Sequence, residues 1–154
     1  MQAQAIKQAA SLDLQPVRGQ VTLVDTAAHA SPLRHLRCPV FYGGYVLPAI
    51  NGQQSVGASF VPGDTDTQWR DHEHRDTCDK LARILPDEAE HLRGMAEPSG
   101  WVGLRVTTKS HRCYAEQIED GFYVSLGHGS HGISSAAAAG EHLASLIVGG
   151  VCVR

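Results

Sequence analysis

The chain has 154 residues, 42% of them hydrophobic, which fits a soluble globular protein of one domain, residues 1–154. Its formal net charge of −3 gives no overall attraction to a phosphate backbone and argues against nucleic-acid binding by the chain alone. Four cysteines without C-x-x-C spacing predict free thiols in a cytoplasmic protein, and no apolar run is long enough to cross a membrane.

In chain order, the hydrophobic pattern predicts five strands and two helices. Residues 17–24 form the first strand, 40–47 and 54–60 form a hairpin, and 101–108 and 121–126 form the last two strands. A charged helix begins at Asp66 or Thr67 and ends before Pro86, and an alanine-rich helix covers 134–148. The predicted buried positions of the charged helix are Trp69, Leu81, Ile84 and Leu85. This order predicts an α+β fold with a largely antiparallel or mixed sheet, one mid-chain helix and a C-terminal helix.

The last strand runs directly into a glycine turn. Gly127, Gly129 and Gly132 spell G-x-G-x-x-G between that strand and the closing helix, a pattern that brings backbone N–H groups to a phosphate or cofactor. Only 22 residues follow Gly132, and no Asp or Glu lies about 20 positions further on to hold a ribose. The turn therefore predicts a contact with an anion or cofactor at the end of a fold, not the founding motif of a dinucleotide domain.

The first helix contains residues that could suggest a metal site. His74 and Cys78 are four apart, and His72 is two before His74. Zinc sites need three or four ligands, usually with C-x-x-C or H-x-x-x-H pairs, and neither spacing occurs in this segment. We predict no metal site and interpret residues 71–78 as a solvated charged face. No G-x-S-x-G motif for a nucleophilic serine is present either.

Five short motifs occur in one order: residues 18–21 (RGQV), 44–48 (GYVLP), 56–60 (VGASF), 103–109 (GLRVTTK) and 126–132 (LGHGSHG). Together they resemble the C-terminal part of FAD-dependent oxidoreductases of the D-amino-acid oxidase and glycine oxidase type. Within that family, the chain most resembles the oxidoreductase half of the bifunctional enzymes that make methylaminomethyl-thiouridine in tRNA. The resemblance covers about residues 17–148.

The resemblance implies oxidation of a carbon next to an amine nitrogen, with FAD as the cofactor and a small amine or a modified tRNA nucleoside as the substrate. It places Arg105 on the substrate carboxylate, for which a guanidinium is well shaped, and Tyr45 near the substrate. The alternatives are a surface ion pair for Arg105 and a sheet-packing role for Tyr45. It places the glycine turn against the flavin ring, with cofactor-binding residues Gly127, His128, Gly129, Ser130, His131, Gly132 and Ile133. His128 and His131 could instead be polar residues at the helix entry.

The chain also departs from the family pattern. It lacks the N-terminal dinucleotide-binding unit, and residues 110–117 carry neither the Pro nor the Gly that the family has after the arginine strand. Residues 17–108 correspond to the substrate domain and 119–150 to the closing strand, turn and helix of the flavin domain. We therefore expect weak or no FAD binding by the chain alone. It is either a fragment of a flavin oxidoreductase or a degenerate stand-alone binding or assembly module, with a homo-oligomer or a chain supplying the missing half as its partner.

Overall fold

The computed structural model of the protein describes residues 6–27 and 32–149. The strands are β1 (Gln15–Asp25), β2 (Val40–Phe41), β3 (Tyr45–Val46), β4 (Gln53–Gly57), β5 (Val61–Pro62), β6 (Ser99–Thr107), β7 (Tyr114–Glu119) and β8 (Phe122–Leu126). The helices are α1 (Asp71–Ala82), α2 (Pro86–Arg93) and α3 (Gly132–Val148). Among these residues, no helix is both long and apolar enough to cross a membrane.

Six of the strands form one sheet around β1. The sheet runs β2-β3-β4-β1-β5, and β6 also pairs with β1. The pairs β2–β3, β3–β4 and β1–β4 are antiparallel, and β7 and β8 form a separate antiparallel ribbon. The predicted α+β fold with a largely antiparallel sheet is therefore confirmed.

The described residues group into two compact units. The first contains residues 6–17, 62–65 and 104–149, and in it α3 packs against the β7–β8 ribbon. The second contains residues 18–27, 32–61 and 66–103, and α1 and α2 pack against each other in it. The core of the second unit joins sheet residues to residues of both helices: Val24, Val46, Val56, Cys78, Leu81, Ala89 and Leu92.

Several elements differ from the sequence-based predictions. The strand expected over 40–47 is two short strands, because Gly43 takes a φ of +91° and the Tyr42 N–H donates to the Gly44 carbonyl across a tight turn. α1 begins at Asp71 rather than at Asp66 or Thr67, since the Asp66 carboxylate instead accepts from the Gln68 N–H and the Arg70 guanidinium. Helix α2, which begins at the proline expected to end α1, and strand β7 were not predicted.

The interpretation of α1 as a solvated charged helix is wrong on one face. Glu73, His74, Thr77 and Cys78 are all buried. Of the positions predicted to be buried there, Leu81 is in the core, whereas Ile84 is 44% exposed. The buried face is polar, so it requires hydrogen-bond partners from elsewhere in the second unit.

The main partner is Arg18 of β1, whose side chain is completely buried. Its Nε donates to Glu73 Oε1 over 2.7 Å, and its Nη2 donates to Gln20 Oε1 over 2.9 Å. Nη1 donates to the main-chain carbonyl of Asp66 over 2.5 Å, and Nη2 also donates to that of Gln68 over 2.7 Å. The guanidinium thereby ties α1 and the segment before it to β1.

The second carboxylate oxygen of Glu73 accepts a short hydrogen bond from the Ser59 hydroxyl. Burial by itself raises the pKa of Glu73, but the hydrogen bonds from Ser59 and Arg18 and the charge of Arg18 outweigh it, and the net pKa is lowered. The carboxylate therefore stays ionised beside Arg18. Removing one partner of such a buried ion pair is costly in stability, because the other partner stays buried and unpaired.

We predict that Glu73→Gln lowers the free energy of unfolding by roughly 3–5 kcal/mol, because it leaves the buried Arg18 charge without its counter-charge. The matched control is Asp79→Asn, which removes a carboxylate from an exposed pair with Arg93 and should cost less than about 1 kcal/mol. Urea unfolding of both variants measures the difference. Equal losses in the two variants would contradict the prediction.

The same pair predicts a pH dependence. Since the folded-state pKa of Glu73 is lowered, the pair contributes stability above the unfolded-state pKa of glutamate and loses it as the pH falls through the folded-state pKa. Glu73→Gln should therefore flatten this part of the acid-unfolding profile, which a series of urea titrations at decreasing pH would show. A variant profile parallel to that of the wild type would rule out this origin.

Candidate flavin-facing turn

The glycine turn follows β8 and leads into α3, both in the first unit. Gly127 and Gly129 have φ values of +75° and +58°, which side chains other than glycine rarely adopt. A Cβ on Gly127 would also lie 2.8 Å from Thr108 Cγ2, so the backbone passes too close to that buried residue for any side chain. The sequence selects glycine at this position for both reasons.

The turn is anchored to the end of β6. The Gly129 N–H donates to the Val106 carbonyl over 2.9 Å. Val106 directly follows Arg105, which is half-buried on the same strand. The structure therefore brings the turn together with the end of the strand that carries the predicted carboxylate-binding arginine.

From Gly129 to Ile133, the backbone N–H groups of the turn divide into two sets. Those of Gly129 and His131 are used within the protein, the latter by the His128 carbonyl over 3.0 Å. In the described part of the chain, no carbonyl accepts from the N–H groups of Ser130, Gly132 or Ile133. This second set is the one that remains for a ligand.

The start of α3 also differs from those of the other helices. None of the three described α-helices has a side-chain cap hydrogen bond at its N-terminus. The first turn of α3 has no acidic residue, however, whereas α1 begins with Asp71 and Glu73 and α2 with Asp87 and Glu88. The partial positive charge at the N-terminus of α3 therefore has no carboxylate of its own first turn beside it. An anionic or electron-rich ligand group is favoured there.

His128 is half-buried, and its ring contacts residues on both sides of the turn. Its Nε2 is 2.9 Å from the Ser125 hydroxyl of β8, and its Nδ1 is 2.7 Å from the Ser135 hydroxyl of α3. Neither serine was singled out from the sequence. The sequence signal that could have suggested them is that they lie before and after a histidine within a turn.

Tyr45 lies on β3 in the second unit, where its ring meets that of Phe41 edge-on at a centroid distance of 6.5 Å. It is paired with Gly57 of β4, and a Cβ on that glycine would lie 3.4 Å from the Tyr45 hydroxyl oxygen. The tyrosine thus covers a glycine of the neighbouring strand. Its proximity to substrate stays a prediction.

Two of the residues considered for a metal site, His74 and Cys78, form a buried pair, and the third, His72, is exposed. His74 has its Nδ1 2.9 Å from the Thr22 hydroxyl and its Nε2 3.7 Å from Cys78 Sγ. Burial lowers the pKa of His74 and raises that of Cys78, so both are neutral near pH 7. Within residues 6–27 and 32–149, no three His, Cys, Asp or Glu side chains are arranged to hold a metal ion. Cys38, Cys78 and Cys113 are free thiols, and Cys152 lies outside the described residues.

A family model of FAD-dependent oxidoreductases (DAO) matches residues 2–146. The chain belongs to this family. The resemblance inferred from the five motifs is confirmed, and with it FAD as the cofactor of the family.

Individual proteins give the same result. The tRNA 5-methylaminomethyl-2-thiouridine biosynthesis bifunctional protein MnmC of Chromohalobacter salexigens is 34% identical over 88% of this chain, and that of Methylobacillus flagellatus is 32% identical over 95%. The chain spans about a quarter of these relatives, 24% and 26% of their lengths. Glycine oxidase from Geobacillus kaustophilus superposes with a TM-score of 0.73 at 27% identity, covering 92% of this chain and 37% of the oxidase.

Three glycine substitutions separate the constraints on the turn. Gly127→Ala should destabilise the protein by more than about 2 kcal/mol, because it adds a contact with Thr108 to an unfavourable φ. Gly121→Ala, with a φ of +69° and nothing within 4 Å, should cost only about 1–2 kcal/mol. Gly140→Ala, in open space on α3, should stabilise by roughly 0.5–1 kcal/mol. Urea unfolding gives all three values, and equal effects for the first two would remove the role assigned to Thr108.

Proposed function

We propose that this chain forms the substrate-binding and closing part of an FAD-dependent oxidoreductase that oxidises a C–N bond of an amine or amino-acid-like substrate. The observation that carries the proposal is the Gly129–Val106 hydrogen bond, which holds a turn with unused N–H groups against the strand of Arg105. Because two relatives are named for tRNA 5-methylaminomethyl-2-thiouridine biosynthesis, we propose a carboxymethylaminomethyl-uridine in tRNA as the candidate substrate.

The turn fits the ring of a flavin. The N–H groups of Ser130, Gly132 and Ile133 have no acceptor in the described residues, and the N-terminus of α3 is uncapped. Of the predicted cofactor-binding residues, these three therefore offer backbone donors, while Gly127 and Gly129 allow the positive φ values that shape the turn. A bound flavin supplies the acceptor for a hydride from the carbon next to the amine nitrogen, and the protein supplies binding and orientation.

Arg105 would hold the carboxylate end of the substrate. A guanidinium presents a planar fork that meets a carboxylate with two charge-assisted hydrogen bonds. Held in this way at the end of β6, the substrate amine is oriented with respect to the turn, which reduces the entropy lost in reaching the reactive geometry. For Tyr45, which lies in the second unit, a substrate-binding role is proposed from the family resemblance alone.

The second candidate function is a non-catalytic binding or assembly module. It is favoured by the apolar surface of α3, where Ile133 is fully exposed and Leu146, Ile147 and Val148 are 43%, 59% and 77% exposed. Exposed apolar residues in such number on one helix are typical of a surface that another polypeptide covers. A second copy of the chain or a chain carrying a dinucleotide-binding unit could cover this surface.

Flavin titration separates the two candidates. If the turn binds the flavin ring, riboflavin and FAD should raise the thermal midpoint of the purified chain by similar amounts, because the proposed contact is with the ring that both molecules share. ADP, which lacks the ring, serves as the control and should have no effect. A colourless protein whose midpoint neither flavin moves would favour the assembly module or an inactive fragment.

We predict that Arg105→Ala abolishes binding of carboxylate ligands while leaving the fold intact. Titration with N-methylglycine, followed by NMR shifts of residues 104–108, measures the binding, and the far-UV circular dichroism spectrum checks the fold. Arg112→Ala, which removes an exposed arginine from the same unit, is the matched control. Unchanged affinity in Arg105→Ala, or an equal loss in Arg112→Ala, would remove the proposed role.

A further inference from the structure

The imidazole of His128 is hydrogen-bonded at both nitrogens, to Ser125 at 2.9 Å and to Ser135 at 2.7 Å. The Ser135 hydroxyl also lies 2.8 Å from the main-chain carbonyl oxygen of His131. These four groups therefore form a continuous chain from the end of β8, across the turn, to the first turn of α3. Because both ring nitrogens are engaged, the His128 ring has no free nitrogen with which to contact a ligand.

The chain of hydrogen bonds has a preferred direction. Ser135 has one hydroxyl hydrogen, and if that hydrogen goes to the His131 carbonyl, the hydroxyl oxygen must accept from His128 Nδ1–H. In the neutral ring Nε2 is then an acceptor, and the Ser125 hydroxyl donates to it. This arrangement makes all three hydrogen bonds. The opposite tautomer makes two, because the Ser135 hydrogen is then used on Nδ1 and no longer reaches His131.

We propose that His128 is a positioning residue that clamps the turn in its ligand-binding conformation. Acting as the Nδ1–H tautomer, it links Ser125 before the turn to Ser135 after it and so fixes the backbone between them. The N–H groups of Ser130, Gly132 and Ile133 lie within this fixed segment. As a role in flavin binding, the clamp rests on the function proposed above; as a property of the turn, it stands without it.

The clamp reassigns His128, which the family resemblance suggests as a direct cofactor contact. A nucleophilic role for either serine does not fit the geometry, because the second ring nitrogen meets another hydroxyl and not the carboxylate that orients a catalytic histidine. Two hydroxyl partners suit a residue that holds a backbone. Each net hydrogen bond of this kind changes a local opening equilibrium by about fivefold.

The test uses substitutions that keep one partner at a time. The side-chain amide of asparagine lies near the position of Nδ1 and that of glutamine near Nε2, so His128→Asn keeps the bond to Ser135 and His128→Gln keeps the bond to Ser125. His128→Ala removes both. His142→Ala, an exposed histidine on α3, is the matched control.

Amide hydrogen exchange of residues 129–135 is the main measurement. We expect exchange in His128→Ala to accelerate by roughly 10–25-fold, in each single-partner variant by about fivefold, and in His142→Ala not at all. Adding Ser135→Ala to His128→Asn should raise the exchange rate to that of His128→Ala. Adding Ser125→Ala to His128→Asn should leave the exchange rate unchanged. Unchanged exchange in His128→Ala, or an equal response to either serine substitution, would overturn the clamp.

Two further measurements separate the clamp from the opposite tautomer and from the proposed function. In ¹⁵N spectra of the imidazole, recorded well above the ordinary pKa of histidine, Nδ1 should carry the proton; a proton on Nε2 would overturn the assigned direction. Riboflavin affinity should fall in His128→Ala by the same factor by which exchange rises. If exchange responds as expected but the wild-type chain binds no flavin, the clamp is supported and the proposed function fails.

Discussion

One backbone hydrogen bond, from the Gly129 N–H to the Val106 carbonyl, determines what the end of this fold can do. It joins the turn after β8 to the strand that carries Arg105, although more than twenty residues separate the two in sequence. It also consumes one of the turn's own donors. Which donors remain for a ligand therefore depends on this pairing and not on the glycine-rich sequence of the turn alone.

The second unit depends on a different constraint, the burial of Arg18. Its five donors cannot be left unpaired in a core, so the sequence must supply acceptors around it. Glu73 provides the counter-charge, and the carbonyls of Asp66 and Gln68 accept hydrogen bonds that fix the main chain before α1. An apolar core could reach the same stability, but it would not fix the non-helical segment before α1 by its main-chain atoms. The network therefore explains why α1 starts where it does.

The elements that could be predicted from the sequence are those with a local signal. Strands β1, β6 and β8 have runs of apolar and β-branched residues, and α3 has an alanine-rich pattern after a glycine turn. The inward face of α1 has helical spacing at residues 73, 74, 77, 78 and 81, but three of these are polar, and a polar stripe ordinarily faces solvent. Only the distant Arg18, Thr22 and Ser59 make its burial favourable, and no local pattern contains that information.

The candidate site shows the same division. The positions of the glycines predict that the turn contacts an anion or a cofactor, and the resemblance to the family suggests that this cofactor is a flavin. Which N–H groups remain unpaired depends on Val106, and which side chains hold the turn depends on Ser125 and Ser135, so neither could be read from the glycine pattern alone. His128 illustrates the consequence: its place in the motif suggests a ligand contact, whereas its hydrogen bonds assign it to the scaffold.

The charge distribution around the turn limits the ligands that it favours. The whole chain is acidic, with a net charge of −3, yet the first turn of α3 carries no acidic residue and an arginine lies on the adjacent strand. Unpaired N–H groups at a helix N-terminus stabilise negative charge, and a guanidinium stabilises a carboxylate. A long-range attraction for the phosphates of a nucleic acid is absent, so an RNA substrate would have to be recognised through the group that enters the site. A carboxylate-bearing amine satisfies that requirement because its charge and its reactive carbon belong to the same small group.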